Sequence, residues 1–318
     1  MNRAADRAAR LPPLIGVVGA TASGKSDLAM ALAGRMPVEI LVADSRHVYR
    51  GMDVGTAKPD AATRSAVPHH LLDVVAPDEP FTVAEWVERA RALMPQVAAR
   101  GRLPMVVGGT GLYVSALVDG HDYAAQAWSP ELRRRLDEEL HAGGLEPLAE
   151  RLQALDPDAA GRIDLDNPRR VLRALERAAA GGGGVVPRME PYGGRLALVG
   201  LDRPREVLYR RIDERAAWLV REAGLLDEVR GLLEAGFGPE LRPMTGHGYG
   251  EAARHLAGEW SLEQAIEVTA RRTRQYAKRQ LTWFRRDGRI LWLAAADRPA
   301  DDPELVERAD RLIRAALG

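Results

Sequence analysis

Residues 14–35 read LIGVVGATASGKSDLAMALAGR, and this stretch decides the fold. Residues 14–18 form an apolar run that predicts a buried strand, and residues 26–35 have the spacing of a helix. Between them, GATASGKS fits the phosphate-binding pattern G-x-x-x-x-G-K-[ST], which requires a strand before it and a helix after it. Backbone amides and a helix N-terminus there predict a polyphosphate site formed by Gly19, Ala20, Thr21, Ala22, Ser23, Gly24, Lys25 and Ser26. Lys25 would bridge phosphate oxygens and Ser26 would ligate Mg²⁺, but the pattern does not say which polyphosphate binds or what is transferred.

Four more apolar runs, over residues 38–43, 104–108, 196–201 and 290–293, predict further strands. Residues 81–100 have a helical pattern that begins with a capping box, Thr82 followed by Glu85. Strands that alternate with helices predict an α/β fold whose core is a parallel sheet like that of P-loop NTPases.

The stretch 121–192 breaks this alternation and shows only helical patterns. One helix is predicted to begin at Ser129-Pro130, and another at Asn167-Pro168 that ends at the four glycines of residues 181–184. We therefore predict a core formed by residues 1–120 and 193–318, interrupted by an all-helical insertion over residues 121–192.

The composition excludes several kinds of site and location. The 318 residues include no cysteine, which excludes disulfides, thiolate metal sites and cysteine nucleophiles. No apolar run approaches the roughly 20 residues of a membrane helix, and residues 1–13 lack a signal-peptide core, so we expect a disordered tail and a cytoplasmic protein. The formal net charge is zero, and among 45 basic residues only Lys25, Lys58 and Lys278 are lysines. This scarcity makes the three lysines candidates for sites that need a compact charge.

Two polar side chains follow predicted strands at the edge of the sheet where ligands of such folds bind. Asp44 follows the second strand, and Thr110 follows the third within GGTG. Asp44 would either hold a Mg²⁺-bound water or act as a general base, with helix capping as a structural alternative. Thr110 would point its hydroxyl into the same crevice, and a plain turn is its structural alternative.

Two basic segments indicate nucleic-acid binding. Residues 271–286, RRTRQYAKRQLTWFRR, hold seven cations and no acid. Cations neutralise phosphates, and the interleaved Tyr276, Trp283 and Phe284 can stack on bases. A second stripe has arginines four residues apart, at Arg169, Arg173 and Arg177. A solvated helix face is the structural alternative for both.

Taken together, these residues resemble the bacterial tRNA dimethylallyltransferases. The matching motifs, in the family's order, are GATASGKSDLA from Gly19, ADSRHVYRGMDVGTAKP at 43–59, PHHLLDVVAP at 68–77, VVGGTGLYVSALVDG at 106–120, DNPRRVLRALE from Asp166 and TRQYAKRQLTWFR from Thr273. They span nearly the whole chain, and DSxxVYRGMDxGTAKP with GGTGLY is far more specific than the phosphate loop alone.

The resemblance implies transfer of a dimethylallyl group from dimethylallyl pyrophosphate to the exocyclic amine of the adenosine 3′ of the anticodon in tRNA. The phosphate loop would hold the pyrophosphate with Mg²⁺, and the adenine would be flipped out of the anticodon stem-loop. Asp44 would be the general base, Thr110 would position the adenine, and Arg215 would contact the pyrophosphate. The residues implied to bind tRNA are Asp44, Ser45, Arg46, His47, Thr110, Arg169, Arg170, Arg173, Gly248, Tyr249, Arg274, Lys278 and Arg279. The family also implies that the helical insertion is a tRNA-binding domain, and it suggests a monomer.

The chain departs from the family where it would face RNA. Arg46 and His47 replace a common Met-Gln pair, and TGHGYG at 245–250 keeps only Gly248 and Tyr249 of the usual loop. Two other functions remain open from the residues themselves. A small-molecule kinase would transfer phosphate from ATP, and a nucleotide-switched RNA-binding protein would bind tRNA without changing the mass of its nucleosides.

Overall fold

The computed structural model describes residues 11–120, 129–179 and 191–318. Contacts divide the chain into two compact units. The core unit comprises Met1–Val118 and Tyr192–Gly318, and the insertion unit comprises Asp119–Pro191. The predicted helix end at the four glycines, and residues 1–10 of the predicted disordered tail over residues 1–13, lie outside the described residues.

The core unit is built on one parallel sheet with the strand order β3-β2-β4-β1-β5-β6. Its strands are β1 Leu14–Gly19, β2 Val38–Val42, β3 His69–His70, β4 Leu103–Gly108, β5 Leu196–Asp202 and β6 Ile290–Ala294. All residues of β1 and β2 are buried, as expected for strands covered on both faces. The parallel α/β core and its five predicted strands are confirmed. The two-residue β3, which pairs His69 with Ile40, was not predicted.

Helices connect the strands and form the insertion. Before the insertion lie α1 Lys25–Ala33, α2 Ala61–Ala66, α3 Val83–Ala99 and α4 Gly111–Val118. The insertion holds α5 Pro130–Gly143, α6 Glu146–Leu155, α7 Pro157–Ala160 and α8 Pro168–Ala179. After it come α9 Arg205–Arg221, α10 Leu225–Glu234, α11 Tyr249–Leu256, α12 Leu262–Phe284 and α13 Pro303–Leu317. The predicted capping box at Thr82 is present at the start of α3.

Helices cover both faces of the sheet. On one face, Leu28 and Leu32 of α1 and Val306 and Ile313 of α13 pack against strand residues such as Val17. The ring of Trp86 in α3 stacks on that of Tyr113 in α4 with centroids 4.9 Å apart, and its indole N–H donates to the carbonyl oxygen of Val42 at 3.0 Å. The carboxyl edge of the strands is left open as the place for a site. There Gly19 ends β1, and Asp44 and Thr110 follow β2 and β4.

The insertion unit has its own apolar core, which includes Leu136, Leu152, Val171, Leu172 and Leu175. Ser129 caps α5 by accepting the backbone N–H of Leu132 at 3.2 Å, as predicted from Ser-Pro. None of the helices in the described ranges could span a membrane.

Candidate functional site

The loop between β1 and α1 is held from its carbonyl side by two arginines. The Nε of Arg203 donates to the carbonyl oxygen of Ser23 at 2.6 Å, and the Nε of Arg211 donates to that of Ala22 at 3.1 Å. Gly24 has a φ of 94°, and a Cβ there would lie 2.6 Å from the Cβ of Ala300. Only glycine fits this turn into α1, so the glycine of the motif is required by the local geometry.

A cavity of about 540 Å³ opens on this loop. Its lining includes Lys25, Ser26, Asp27, Arg211, Arg215 and Trp218. Burial lowers the pKa of Lys25 to about 8, the charge of Asp44 opposes that change, and the charge of Arg215 adds to it. Lys25, Arg215 and Asp44 therefore lie within electrostatic reach of one another, and the cavity offers three cations, Lys25, Arg211 and Arg215, to an anionic ligand.

Asp44 lies just beyond the end of β2 and its carboxylate accepts the backbone N–H of Arg46 at 2.9 Å. Burial opposes its ionisation, but the neighbouring His47, this N–H bond and the charge of Lys25 together lower the pKa of Asp44 below its ordinary value. Burial also lowers the pKa of His47, so this imidazole is neutral at neutral pH and the N–H bond and Lys25 carry most of the effect. Asp44 is thus an ionised proton acceptor. The helix-capping alternative is wrong, because the next helix, α2, begins only at Ala61.

Thr110 joins the ends of two strands. Its Oγ1 accepts the backbone N–H of Ser45 at 3.0 Å, and its own N–H donates to the carbonyl oxygen of Ala43 at 3.1 Å. The strands approach so closely that a Cβ on Gly108 would lie 2.0 Å from that same carbonyl oxygen. Thr110 and Asp44 are therefore neighbours, as their positions at the sheet edge predicted.

Gln280 of α12 connects this edge to the phosphate loop, a contact that the sequence did not reveal. It accepts the backbone N–H of Thr21 at 2.8 Å and donates to the carbonyl oxygen of Gly109 at 2.8 Å, while 5% of the residue is exposed. Tyr276, one turn earlier, interacts through its hydroxyl with Thr110 and Gln280. The only sequence signal was an uncharged amide within a basic segment.

The two departures from the family lie beside Asp44. Arg46 donates through Nη1 to the carbonyl oxygen of Arg242 at 2.9 Å. The Nε2 of His47 lies 2.9 Å from the carbonyl oxygen of Thr56, and its Nδ1 is buried without a partner among the described residues. Because the carbonyl can only accept, the proton of the neutral ring is on Nε2, and Nδ1 is a hydrogen-bond acceptor.

The basic face of α12 is smaller than the sequence indicated. Arg274 forms an ion pair with Asp213 of α9, and Arg272 forms one with Glu251 of α11. Lys278 and Arg279 are exposed, and the guanidinium of Arg279 lies 5.8 Å from the ring centre of Tyr276. The prediction that Phe284 stacks on bases is wrong, because Phe284 is buried at 2% exposure.

The prediction for the Tyr249 side chain also needs correction. Gly248, with a φ of 91°, starts α11, and Tyr249 is buried with 2% of its surface exposed. Its hydroxyl donates to Glu228 at 2.5 Å. A side chain packed in this way does not face an RNA, so its contribution is structural.

One arginine of the basic stripe in the insertion forms an ion pair inside the insertion unit, and two others are exposed. Arg169 and Arg170 at the start of α8 are exposed. Arg173 forms an ion pair of 3.2 Å with Glu176, whose side chain is only 1% exposed. Arg173 therefore neutralises a buried acid, in addition to any contact with a partner.

Lys58 is fully buried, with 0% of its side chain exposed. Its ammonium group contacts Asp53 at 2.7 Å, Asp73 at 2.6 Å and the carbonyl oxygen of Tyr49 at 2.5 Å. It cross-links the segment that follows Asp44 and does not line the cavity at the phosphate loop.

Comparisons with known proteins agree with the motifs. The family described as IPP transferase matches residues 47–287. The tRNA dimethylallyltransferase of Heliobacterium modesticaldum is 43% identical over 309 residues, covering 95% of each chain, and that of Geobacter metallireducens is 46% identical over 287 residues, covering 88% of this chain and 92% of the relative. The solved full-length tRNA isopentenylpyrophosphate transferase from Bacillus halodurans is 37% identical with a TM-score of 0.72, over 96% of this chain and 97% of that one. A solved eukaryotic dimethylallyltransferase acting on tRNA is 27% identical with a TM-score of 0.77, over 94% of this chain and 77% of that one.

Proposed function

The chain belongs to the IPP transferase family, and on that premise we propose that it transfers a dimethylallyl group from dimethylallyl pyrophosphate to the exocyclic amine of the adenosine 3′ of the tRNA anticodon. One observation carries the proposal. Lys25 and Arg215 face the cavity at the phosphate loop, and the ionised Asp44 lies within electrostatic reach of both. A leaving diphosphate requires positive charge, which Lys25 and Arg215 would supply. An attacking amine requires a proton acceptor, which Asp44 would supply.

The donor side stabilises the charge that appears when the allylic carbon–oxygen bond breaks. Negative charge then builds on the diphosphate, next to Lys25, Arg215 and the amides of the loop. Donors that are already in place when charge develops lower the barrier without reorganisation. The Gln280 bonds to Thr21 and Gly109 would keep the loop in this arrangement.

The residues at the loop fit Mg²⁺. The hydroxyl of Ser26 and the carboxylate of Asp27 are exposed, hard oxygen donors in the first turn of α1. Within the described ranges there is no cluster of three His, Cys, Asp or Glu side chains suited to a metal. We propose that Ser26 would hold the ion, which would supply positive charge beside the diphosphate.

The acceptor side would remove a proton from a weak nucleophile. The lone pair of the adenine amine is conjugated with the ring, so attack on the allylic carbon requires loss of an N–H proton. The Asp44 carboxylate would take that proton as the nitrogen–carbon bond forms, an effect of roughly 10²- to 10⁴-fold in rate. The hydroxyl of Thr110, fixed by the N–H of Ser45, would position the flipped base.

We assign the RNA contacts to cations that point into solvent. Four cations are exposed and form no ion pair with other described residues: Lys278 and Arg279 on α12, and Arg169 and Arg170 on α8. Their role would be to neutralise phosphates of the anticodon stem-loop, which is independent of base identity.

The test is a nucleoside analysis of tRNA incubated with enzyme, Mg²⁺ and dimethylallyl pyrophosphate. Digestion should release isopentenyladenosine, and a transcript with guanosine in place of the target adenosine should give none. Transfer of phosphate from ATP in the absence of the prenyl donor would support a kinase. Binding of tRNA with no change in nucleoside mass would support a binding protein without chemistry.

A further inference from the structure

The carboxylate of Glu228, at the start of α10, accepts four hydrogen bonds. The backbone N–H groups of Asp53, Val54 and Gly55 donate to it at 2.8, 2.6 and 3.1 Å. The hydroxyl of Tyr249 donates at 2.5 Å. Three successive N–H groups that converge on one carboxylate form an anion-binding nest, here occupied by a side chain from more than 170 positions away in the sequence.

Packing makes this contact tight. A Cβ on Gly55 would lie 2.5 Å from the ring of Tyr249 and 2.8 Å from Leu225. The absence of a side chain at Gly55 therefore lets the backbone of the segment rest against α10 and α11. The contact holds residues 53–55 at a fixed distance from both helices.

The same segment continues to the acceptor side of the site. The next residue, Thr56, offers its carbonyl oxygen to the Nε2 of His47 at 2.9 Å. His47 in turn directly follows Arg46, on the turn that holds the carboxylate of Asp44. A route of contacts thus runs from Glu228 through Thr56 and His47 to Arg46, whose backbone N–H donates to the carboxylate of the proposed base, Asp44, at 2.9 Å.

We propose that Glu228 is a positioning residue for the acceptor half of the site, which acts on Asp44 through Thr56 and His47. This rests on the proposed function, in which Asp44 accepts the proton of the amine. Glu228 does not itself line the cavity at the phosphate loop, although Ala57, two residues beyond the segment that it holds, does. Its loss should therefore affect transfer to RNA far more than diphosphate binding.

The test compares Glu228→Gln with the matched control Asp227→Asn. Asp227 is the preceding acid, 80% exposed and paired with Arg230, and it makes none of the four bonds. Glutamine keeps the shape of Glu228 but presents an NH₂ group to donors, so at least one of the four bonds is lost. The gentler Tyr249→Phe removes only the hydroxyl, with its bond to Glu228 and its interaction with the backbone of Thr56, and serves if Glu228→Gln unfolds, which urea melts of each variant will show.

Single-turnover transfer to tRNA is measured at saturating donor, and inorganic pyrophosphate binding is measured by calorimetry. We expect Glu228→Gln to reduce the transfer rate about 10- to 100-fold, the cost of misplacing a reacting group by about 1 Å. Tyr249→Phe should show a smaller loss, and Asp227→Asn none. The pyrophosphate affinity and stoichiometry should remain those of the wild type.

A double-mutant cycle with His47→Ala tests the route. If Glu228 acts through His47, Glu228→Gln will cost much less in the His47→Ala background. An undiminished cost there, wild-type transfer by Glu228→Gln, or a parallel loss of pyrophosphate binding would each overturn the inference. Failure of the wild-type protein to prenylate any tRNA would instead refute the proposed function, so the two failures are distinguishable.

Discussion

Raising the pH above 8 should weaken the binding of inorganic pyrophosphate, because Lys25 then loses its proton. Burial lowers the pKa of this lysine to about 8, with Asp44 opposing the change and Arg215 adding to it. A bound anion favours the charged form and raises the pKa of Lys25 in the complex. Binding therefore takes up a proton once the pH exceeds about 8, and the affinity must fall as the pH rises further.

The size of the effect follows from the pKa. At pH 9 about one free-enzyme lysine in eleven is protonated, so the affinity should be roughly tenfold below its plateau, with a further tenfold loss per pH unit. The shift from 10.5 to about 8 also means that the buried charge costs about 3 kcal/mol in the ligand-free protein. A diphosphate recovers part of this cost when it binds.

Calorimetry without Mg²⁺ from about pH 6.5 to about pH 9.5 measures the effect, with Lys25→Arg as the reference. Arginine stays charged throughout this range, so the titration of pyrophosphate itself is common to both proteins. The ratio of wild-type to Lys25→Arg affinity should be flat below pH 7 and fall by one decade per unit above pH 8. A ratio that stays constant to about pH 9.5 would refute the reasoning about Lys25.

Three further predictions concern the base, the RNA surface and the sheet. Asp44→Asn should bind tRNA normally but lose roughly 10²- to 10⁴-fold in single-turnover rate, and near-normal turnover would remove Asp44 as the base. Replacing Lys278 and Arg279 by Gln should weaken tRNA binding and reduce the slope of log affinity against log salt by about two, whereas exposed Arg311→Gln should leave it unchanged; an unaltered slope would exclude this surface. Hydrogen bonds from Arg100 lower the pKa of buried Glu39 to about 2, so its stabilisation is present above pH 4.5 and lost as the pH falls toward 2. Glu39→Gln should cost about 2 kcal/mol in urea melts at pH 6, allowing for solvent around Arg100, and the gap should shrink to roughly half at pH 3; a gap as large at pH 3 as at pH 6 would contradict this.

Local patterns identified most of the core. Strands that are buried on both faces are continuous apolar runs, so β1, β2, β4, β5 and β6 were predictable from the residues alone. The strand β3 was not, because His69 and His70 have no strand pattern and become extended by pairing with Ile40 and Leu41 of β2. Its formation is a tertiary effect.

The site also contains residues that the sequence predicts and residues that only the tertiary structure reveals. The phosphate loop, Asp44 and Thr110 were predictable, since each follows a strand at the sheet edge. Gln280 was not, because its partner Thr21 lies 259 positions away. The basic segment was overestimated for a related reason: its own sequence contains no acid, but Asp213 and Glu251 approach it from other helices.

The insertion unit enters and leaves the core through adjacent backbone groups. The N–H of Tyr192 donates to the carbonyl oxygen of Val118 at 2.6 Å, so the two ends of the interruption meet at one hydrogen bond. Insertions of different length could therefore join the core at the same two residues without changing the order of the strands in the sheet. A graft at this junction would let one α/β core be combined with different insertions.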